Sequence, residues 1–444
     1  MLKTVHESSE RCNKSELNIF TVPPTQVTVE KTTFVDYYPV STLGQDTAPI
    51  EFFVPGNGED YLDPSRMQLY VKAKIKTVDG EDIAEDAIVG PQNLFLQCIF
   101  SQINVSLNDK LITPSSTTYP YRAMIETLLN FGPAAKQSQL TTSLYYKDTP
   151  GKMDIVNPNT AEAGANIGLK TRHKFTTTSK SCDMSGPLHV DICFQDRLII
   201  PGVDIKVKLN RAKSEFCLVA GGEDPAYKVL IEQAVLRVRR VTVSPTLRLE
   251  HERYLEKTTA KYPLSRVSVK PIAIPQALLS LDRENVFLGV LPKRVVIGLV
   301  RSEAFHGSYA RNAFNFHHYK VTQVALSVNG DSHKPIQVHY DNQGGGQYIR
   351  GYETLFSGMD KMYADSGNLI TREDYPKGYT LYALDLTPDL SSSEHFNPIK
   401  TGNVRLSIQF AEALPHTVTC LVYGEFESLI EIDKSRNVIF DFST

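Results

Sequence analysis

The sequence predicts an all-β fold made of two tandem copies of one antiparallel domain, with short helices in the connections, and three observations predict it. The first is internal repetition. The alternating run 103–108 leads through a polar turn to Tyr119-Pro120-Tyr121-Arg122, and the run 324–330 leads through a longer loop to Tyr348-Ile349-Arg350-Gly351. Further on, 189–192 followed by 203–209 is echoed by 383–386 followed by 404–410. Landmarks that recur in one order, about half a chain apart, are what a fused duplication leaves.

The second observation is the period. Leu69, Val71, Ala73 and Ile75 alternate with Gln68, Tyr70, Lys72, Lys74 and Lys76, which in a strand puts aliphatics on one face and solvated stems on the other. The same alternation recurs at 203–209, 321–328 and 404–410, whereas 417–423 reads as a more fully buried strand. Helical pattern is confined to short segments at 119–130 and 347–357. The third is punctuation. The 25 prolines and 26 glycines fall mainly between strands, as in 54–58, 148–151, 201–202 and 221–225. Short strands bounded by such turns suit antiparallel sandwiches or barrels rather than parallel α/β units.

The turn-rich stretch 220–226 lies between the copies and marks the expected boundary. The expected organisation is an N-terminal arm (1–28), a first sandwich (29–222), a second (223–434) and a C-terminal arm (435–444). Residues 132–180, rich in Thr, Ser, Asn and Gly, have no counterpart of that length in the second copy. Long insertions on a rigid sandwich usually carry contacts with partners.

Composition narrows the function. At 49.6 kDa and 41% hydrophobic residues, the chain exceeds what one core normally serves. A net charge of -3 and a pI near 6.4 argue against a protein whose work is neutralising phosphates or coating an anionic membrane. The start of the chain lacks a secretory pattern and no apolar run is long enough to cross a bilayer, so folding in the cytosol or nucleus is expected. The six cysteines are scattered with no Cys-x-x-Cys pair, as reduced thiols packed in strands would be.

The run 48–56 (Ala-Pro-Ile-Glu-Phe-Phe-Val-Pro-Gly) with Tyr61-Leu62-Asp63, then Asn93-Leu94-Phe95-Leu96, the run 101–108 and Tyr119-Pro120-Tyr121-Arg122, closely resembles the major capsid proteins of Polinton/Maverick elements and the related adintoviruses. Gly402-Asn403-Val404-Arg405-Leu406 through Tyr423-Gly424-Glu425-Phe426 and 429–433 looks like the end of the same family. The resemblance spans roughly 17–438, and the order and spacing of its motifs are more specific than any one of them. It implies a double jelly-roll: two tandem eight-stranded antiparallel jelly-roll sandwiches, of the adenovirus-hexon lineage. Three chains would form a homotrimer, a pseudo-hexagonal capsomer that tiles an icosahedral shell around a double-stranded DNA genome. The implied partners are other copies of the chain, through trimer and capsomer–capsomer contacts, together with penton and minor capsid proteins. No membrane span and at most weak non-specific contact with packaged DNA are expected. The implied location is the virion capsid, after synthesis in the host cytoplasm and assembly in cytoplasm or nucleus. Residues 132–180 and 331–346 are expected at the loop ends of the sandwiches.

No catalytic residue, cofactor or metal is expected. Some jelly-rolls hold a metal through a His-x-His pair with a nearby Glu, all projecting into one barrel. Here His317 and His318 are adjacent, and adjacent residues of a regular strand point to opposite faces. Gly344-Gly345-Gly346 precedes a helical segment but lacks the Lys-Ser/Thr of a phosphate loop, so a flexible connection is the better reading. Asp82, Glu85 and Asp86 read as a solvated acidic patch, and Arg237-Val238-Arg239-Arg240 as a basic cluster that reaches an acidic neighbour or DNA only if it lies at a capsomer base.

The duplicated pairs Arg122/Glu126 and Arg350/Glu353, at i,i+4 and i,i+3, are candidate structural braces for the helices that carry them. Two functions from different classes remain open. One is the self-assembling major capsid protein. The other is a minor capsid or receptor- or carbohydrate-binding jelly-roll with Tyr145 and Tyr146 as a stacking platform, a reading weakened by the absence of tryptophan.

Overall fold

The computed structural model describes residues 8–10, 12–43, 48–161, 163–222, 225–332, 335–341, 346–390 and 395–440. In the first half the principal strands are β1 (Val29–Tyr37), β2 (Ile50–Val54), β3 (Tyr61–Thr77), β4 (Phe100–Leu107), β5 (Lys110–Leu111), β6 (Cys182–Pro187), β7 (Ile205–Arg211) and β8 (Tyr227–Val243). In the second they are β9 (Ala260–Ile274), β10 (Ser280–Val290), β11 (Arg294–Arg301), β12 (Val321–Val328), β13 (Asp331–Ser332), β14 (Leu381–Asp385), β15 (Thr401–Phe410) and β16 (Val418–Ile432). Four helices matter to the argument: α1 (Tyr119–Asn130), α2 (Ile167–His173), α3 (Pro245–Leu255) and α4 (Ile349–Ser357).

The first half pairs these strands as β1-β8-β3-β6 and β2-β7-β4-β5, the second as β9-β16-β11-β14 and β10-β15-β12-β13, all antiparallel. Counted within each half, both have the order 1-8-3-6 facing 2-7-4-5. That is a jelly-roll twice over, and the protein is a double jelly-roll. The period-two segments fall where expected: Met67, Leu69, Val71, Ala73 and Ile75 of β3 face the core while their neighbours stay wetter. The stretch 418–424 of β16 is buried on both faces, because one face looks into the sandwich and the other is covered by the first half.

The expected boundary at residue 222 is displaced. The strand that follows it, β8, belongs to the first sandwich, with Val238 opposite Val35 on one side and Leu236 opposite Leu69 on the other. In a jelly-roll the eighth strand must return between the first and third, so the glycine-rich stretch is a turn inside the first sandwich. The crossing to the second is made after Val243, through α3, which opens with Pro245 where a missing N–H costs nothing.

Two apolar cores result, and they interlock. Tyr121, Met124, Ile125, Leu128 and Leu129 of α1, from the first half, lie in the same cluster as Val267, Val295, Leu326 and Leu421 of the second. In return, Tyr262, Leu264, Ile430, Ile432 and Phe440 of the second half lie in the first core with Leu69, Val105 and Leu236.

Candidate functional site: the seam between the sandwiches

The structure concentrates buried charge where the two sandwiches meet. Helix α1 starts after Thr118 with Pro120 in its first turn, and all but its last residue are buried. A charged side chain on so buried a helix is costly without a partner. Arg122 Nε donates to Glu126 Oε1 at 2.9 Å, and its Nη1 reaches Asp191 Oδ1 at 2.7 Å. Glu126 Oε2 lies 2.6 Å from His189 Nδ1, and the Tyr423 hydroxyl of β16 donates to Glu126 Oε1 at 3.5 Å. Asp191 Oδ1 also accepts from the Val267 amide of β9 at 3.2 Å, and the Thr118 hydroxyl donates to the Val269 carbonyl. The knot therefore takes residues from both halves.

Its electrostatics are lopsided. Burial works against the Arg122 charge, but Asp191 and Glu126 more than offset it and raise its pKa. Burial likewise pushes the Glu126 carboxyl up, yet Arg122 and His189 against it hold it below the usual carboxylate range. For Asp191 burial prevails over Arg122 and the carboxyl is raised, in keeping with an Oδ2 that has no hydrogen-bond partner.

The insertion builds a second knot. Arg172 of α2, with no exposed surface, donates to the Pro91 carbonyl, the Tyr146 carbonyl and Asp148 Oδ1 at 2.8 to 3.0 Å. Asp148 Oδ2 takes Asn312 Nδ2 at 3.0 Å, and the Tyr379 hydroxyl donates to the Asp148 carbonyl at 2.7 Å, both from the second half. Lys147 bridges to Asp374 at 2.5 Å. A third contact caps α1: Lys136 Nζ donates to the Leu128 and Asn368 carbonyls at 2.7 and 2.6 Å, and Lys361 Nζ to those of Leu129 and Asn130. Burial, with Lys147 and Lys361 nearby, pulls the Lys136 amine down to about 7. Residues 132–180 thus reach across the seam, an outcome that their loop-like composition conceals.

The two candidate braces separate. Arg122 and Glu126 are paired and buried. Arg350 and Glu353 are both exposed on α4, which buries only Gly351 and Leu355 against the second sandwich, and no ion pair joins them among the described residues. The expectation of a duplicated brace is corrected in the second half: α4 lies outside the seam, where neither residue needs a partner. Sequence reasoning missed Asp191, His189, Asp148 and Arg172. The signal it could have used was a charged or polar residue at a position whose neighbours are all apolar, as in Leu188-His189-Val190-Asp191-Ile192.

The other singled-out residues are accounted for locally. His317 and His318 lie in a loop rather than a strand, and they still diverge: His317 Nε2 is 4.0 Å from Asp154, while the His318 ring stacks on Tyr340 at 4.3 Å. Among the described residues no group of three or more His, Cys, Asp or Glu could hold a metal, and no helix is long and apolar enough to cross a membrane. Gly344 and Gly345 lie outside the described residues. Asp82 pairs with Lys76 at 2.7 Å. The basic cluster is internally neutralised, Arg237 by Asp36, Arg239 by Asp63 and Arg240 by Asp60 with the Tyr37 hydroxyl. Tyr145 is buried and Tyr146, half-buried, stacks on Phe175 at 6.0 Å, so the two tyrosines do not form an open platform together.

No family model matches the chain. An uncharacterized protein of Caenorhabditis elegans is 25% identical over 413 residues, covering 89% of this chain and 94% of that protein. Among solved structures, the chain is similar to one in the cryo-EM structure of the Sputnik virophage, with a TM-score of 0.67 at 9% identity over 100% of this chain and 95% of that one. It is also similar to the mavirus major capsid protein (TM-score 0.55, 12% identity, 99% and 96% covered) and the Faustovirus major capsid protein (0.58, 9%, 94% and 92%). At these identities the likeness is one of fold, and it runs through both sandwiches.

Proposed function

We propose that this chain is a major capsid protein that trimerises into pseudo-hexagonal capsomers and tiles an icosahedral shell around a double-stranded DNA genome, in the manner of the Polinton/Maverick and adintovirus proteins its sequence resembles. One observation carries the reading: two sandwiches of one strand order, fused by interlocked cores. Three such chains about a three-fold axis present six nearly equal bodies, which is what near-hexagonal packing requires. The seam is what keeps each pair of bodies at a fixed angle while neighbours press on it. The fold likeness to capsid chains over both halves supports the reading. Penton and minor capsid proteins are the further partners, and the virion is the destination. Pairing of Arg237, Arg239 and Arg240 with carboxylates favours weak contact with packaged DNA at most.

Size-exclusion chromatography with light scattering, followed by negative-stain microscopy, tests it. Trimers of hexagonal outline are expected. A chain that stays monomeric at tens of micromolar and binds glycans instead would transfer the assignment to the receptor-binding class.

A further inference from the structure

Beside the root of the N-terminal arm lies a groove of about 520 Å³, walled by Val29, Ile200, Val243, Leu247, Tyr254 and Leu255. Helix α3 forms one wall, and it leaves Leu249 and Tyr254 exposed although it is only a connection between sandwiches. The arm itself is the complementary object. Every described residue from Ser8 to Thr28 is exposed, and five of them are large and apolar: Leu17, Ile19, Phe20, Val22 and Val27, the Phe20 ring being 93% exposed. Pro23-Pro24 keeps the segment extended and removes two donors that would otherwise need partners.

The arm is also aimed. The Gln26 side-chain oxygen accepts from the amides of Thr28 and Val29, and its Nε2 donates to the Val29 carbonyl at 3.0 Å. This closed turn sits at the rim of the groove, where Thr28 and Val29 line it, and fixes the point at which the arm leaves the body. The opposite end of the chain behaves differently: Phe440 is buried in its own body, and Arg436 ties the tail to the Pro201 carbonyl and Glu252. An extended segment of about ten residues reaches roughly 33 Å, enough to cross to an adjoining copy.

We propose that residues 17–27 of one copy dock in the α3 groove of a neighbouring copy, placing Ile19, Phe20 and Val22 against Leu247, Tyr254 and Leu255. The contact is head-to-tail, so each copy gives an arm and receives one, and a ring or a sheet of copies is laced at its base. The proposal rests on the self-association argued above and adds to it where the arm goes.

The test uses full-length chains in a Cys12→Ser background, since Cys12 is the exposed cysteine among those described. Phe20→Cys and Tyr254→Cys variants, differently tagged, are co-expressed and mildly oxidised. Mixed covalent dimers are expected at ten-fold or more over either variant expressed alone. Ile19→Asp with Val22→Asp should abolish docking, read as loss of that cross-link when combined with Phe20→Cys and Tyr254→Cys, with the melting temperature unchanged. Trimers without mixed cross-links overturn the arm exchange and leave the capsomer reading standing. A cross-link found only within single chains carrying both cysteines assigns the groove to its own arm and overturns it. Arm-dependent flotation with anionic phospholipid vesicles, in place of cross-linking, makes lipid the occupant and overturns it too. Absence of any self-association removes both readings.

Discussion

Replacing Glu126 with leucine should loosen the seam far more than its position on one helix suggests. The carboxylate is 6% exposed and holds Arg122 Nε on one oxygen and His189 Nδ1 on the other. The variant leaves Arg122 to Asp191 alone and takes the partner from the histidine Nδ1, with only a cavity of about 30 Å³ beside Arg122 and His189 to admit water in its place. Removing one member of a buried pair costs about 3–5 kcal/mol. For units of the size of these sandwiches that corresponds to a fall in melting temperature of roughly 10 °C. Differential scanning calorimetry reads it, with Glu353→Leu as the matched control: that residue is exposed and in no ion pair among the described residues, and a surface change of this kind stays within about 0.5 kcal/mol. The pH dependence adds a second readout. A carboxyl whose folded pKa is depressed contributes stability that is complete above its ordinary 4.5 and disappears as the pH falls through the lower folded value. The wild type should show this acid step and the variant should not. A Glu126→Leu protein melting within 1 °C of the wild type refutes the brace.

Further outcomes follow from the same seam. Lys136 is pulled down to about 7 from an ordinary 10.5, so between those values the unfolded chain binds the extra proton and stability rises with pH; from pH 7 to 9.5 the wild type should gain on the order of 3 kcal/mol over Lys136→Met in urea melts. Arg172→Met leaves the buried Asp148 carboxylate without its cation and takes one donor each from the Pro91 and Tyr146 carbonyls, and should cost about 3–5 kcal/mol, seen as early proteolysis within 132–180. Gly378→Ala places a Cβ 2.6 Å from Met153 Sδ at a φ of +107°, and about 1–3 kcal/mol of destabilisation is expected in the same calorimetric trace.

What was legible in the sequence was whatever depends on local period. Residues 67–75, 205–209, 321–328 and 404–410 alternate because each strand has one dry face, and α1 is read from its own run of residues. The boundary was not legible, because strand order in a jelly-roll is non-local: β8 pairs with β1 across some 200 residues, and nothing in 227–243 says which sandwich it closes. The insertion was misleading for a related reason. Its Thr, Ser and Asn look like solvated loop residues, yet Asn166 caps α2 and holds Asp148, and Ser143 and Ser179 are buried against the Ser185 and Ile75 carbonyls. A polar side chain satisfied by backbone is indistinguishable in composition from one satisfied by water.

The two braces diverge for a reason that lies in the act of fusion. A seam between two copies exists once, so only one of two homologous helices can fill it, and the other must face outward. The sequence carries a trace of which one was chosen. Where the first copy has His189 and Asp191, the echo in the second has Ala383 and Asp385, and Asp385 turns to the Thr387 amide and hydroxyl at 2.8 and 2.7 Å instead of to a helix. A buried Arg–Glu pair needs a second acceptor and a second donor to be tolerable. Copy one supplies both from 189–191, and copy two supplies neither to Arg350 and Glu353. The identity of the motif on the helix was therefore weaker evidence for a shared role than the non-identity of the segment meant to receive it.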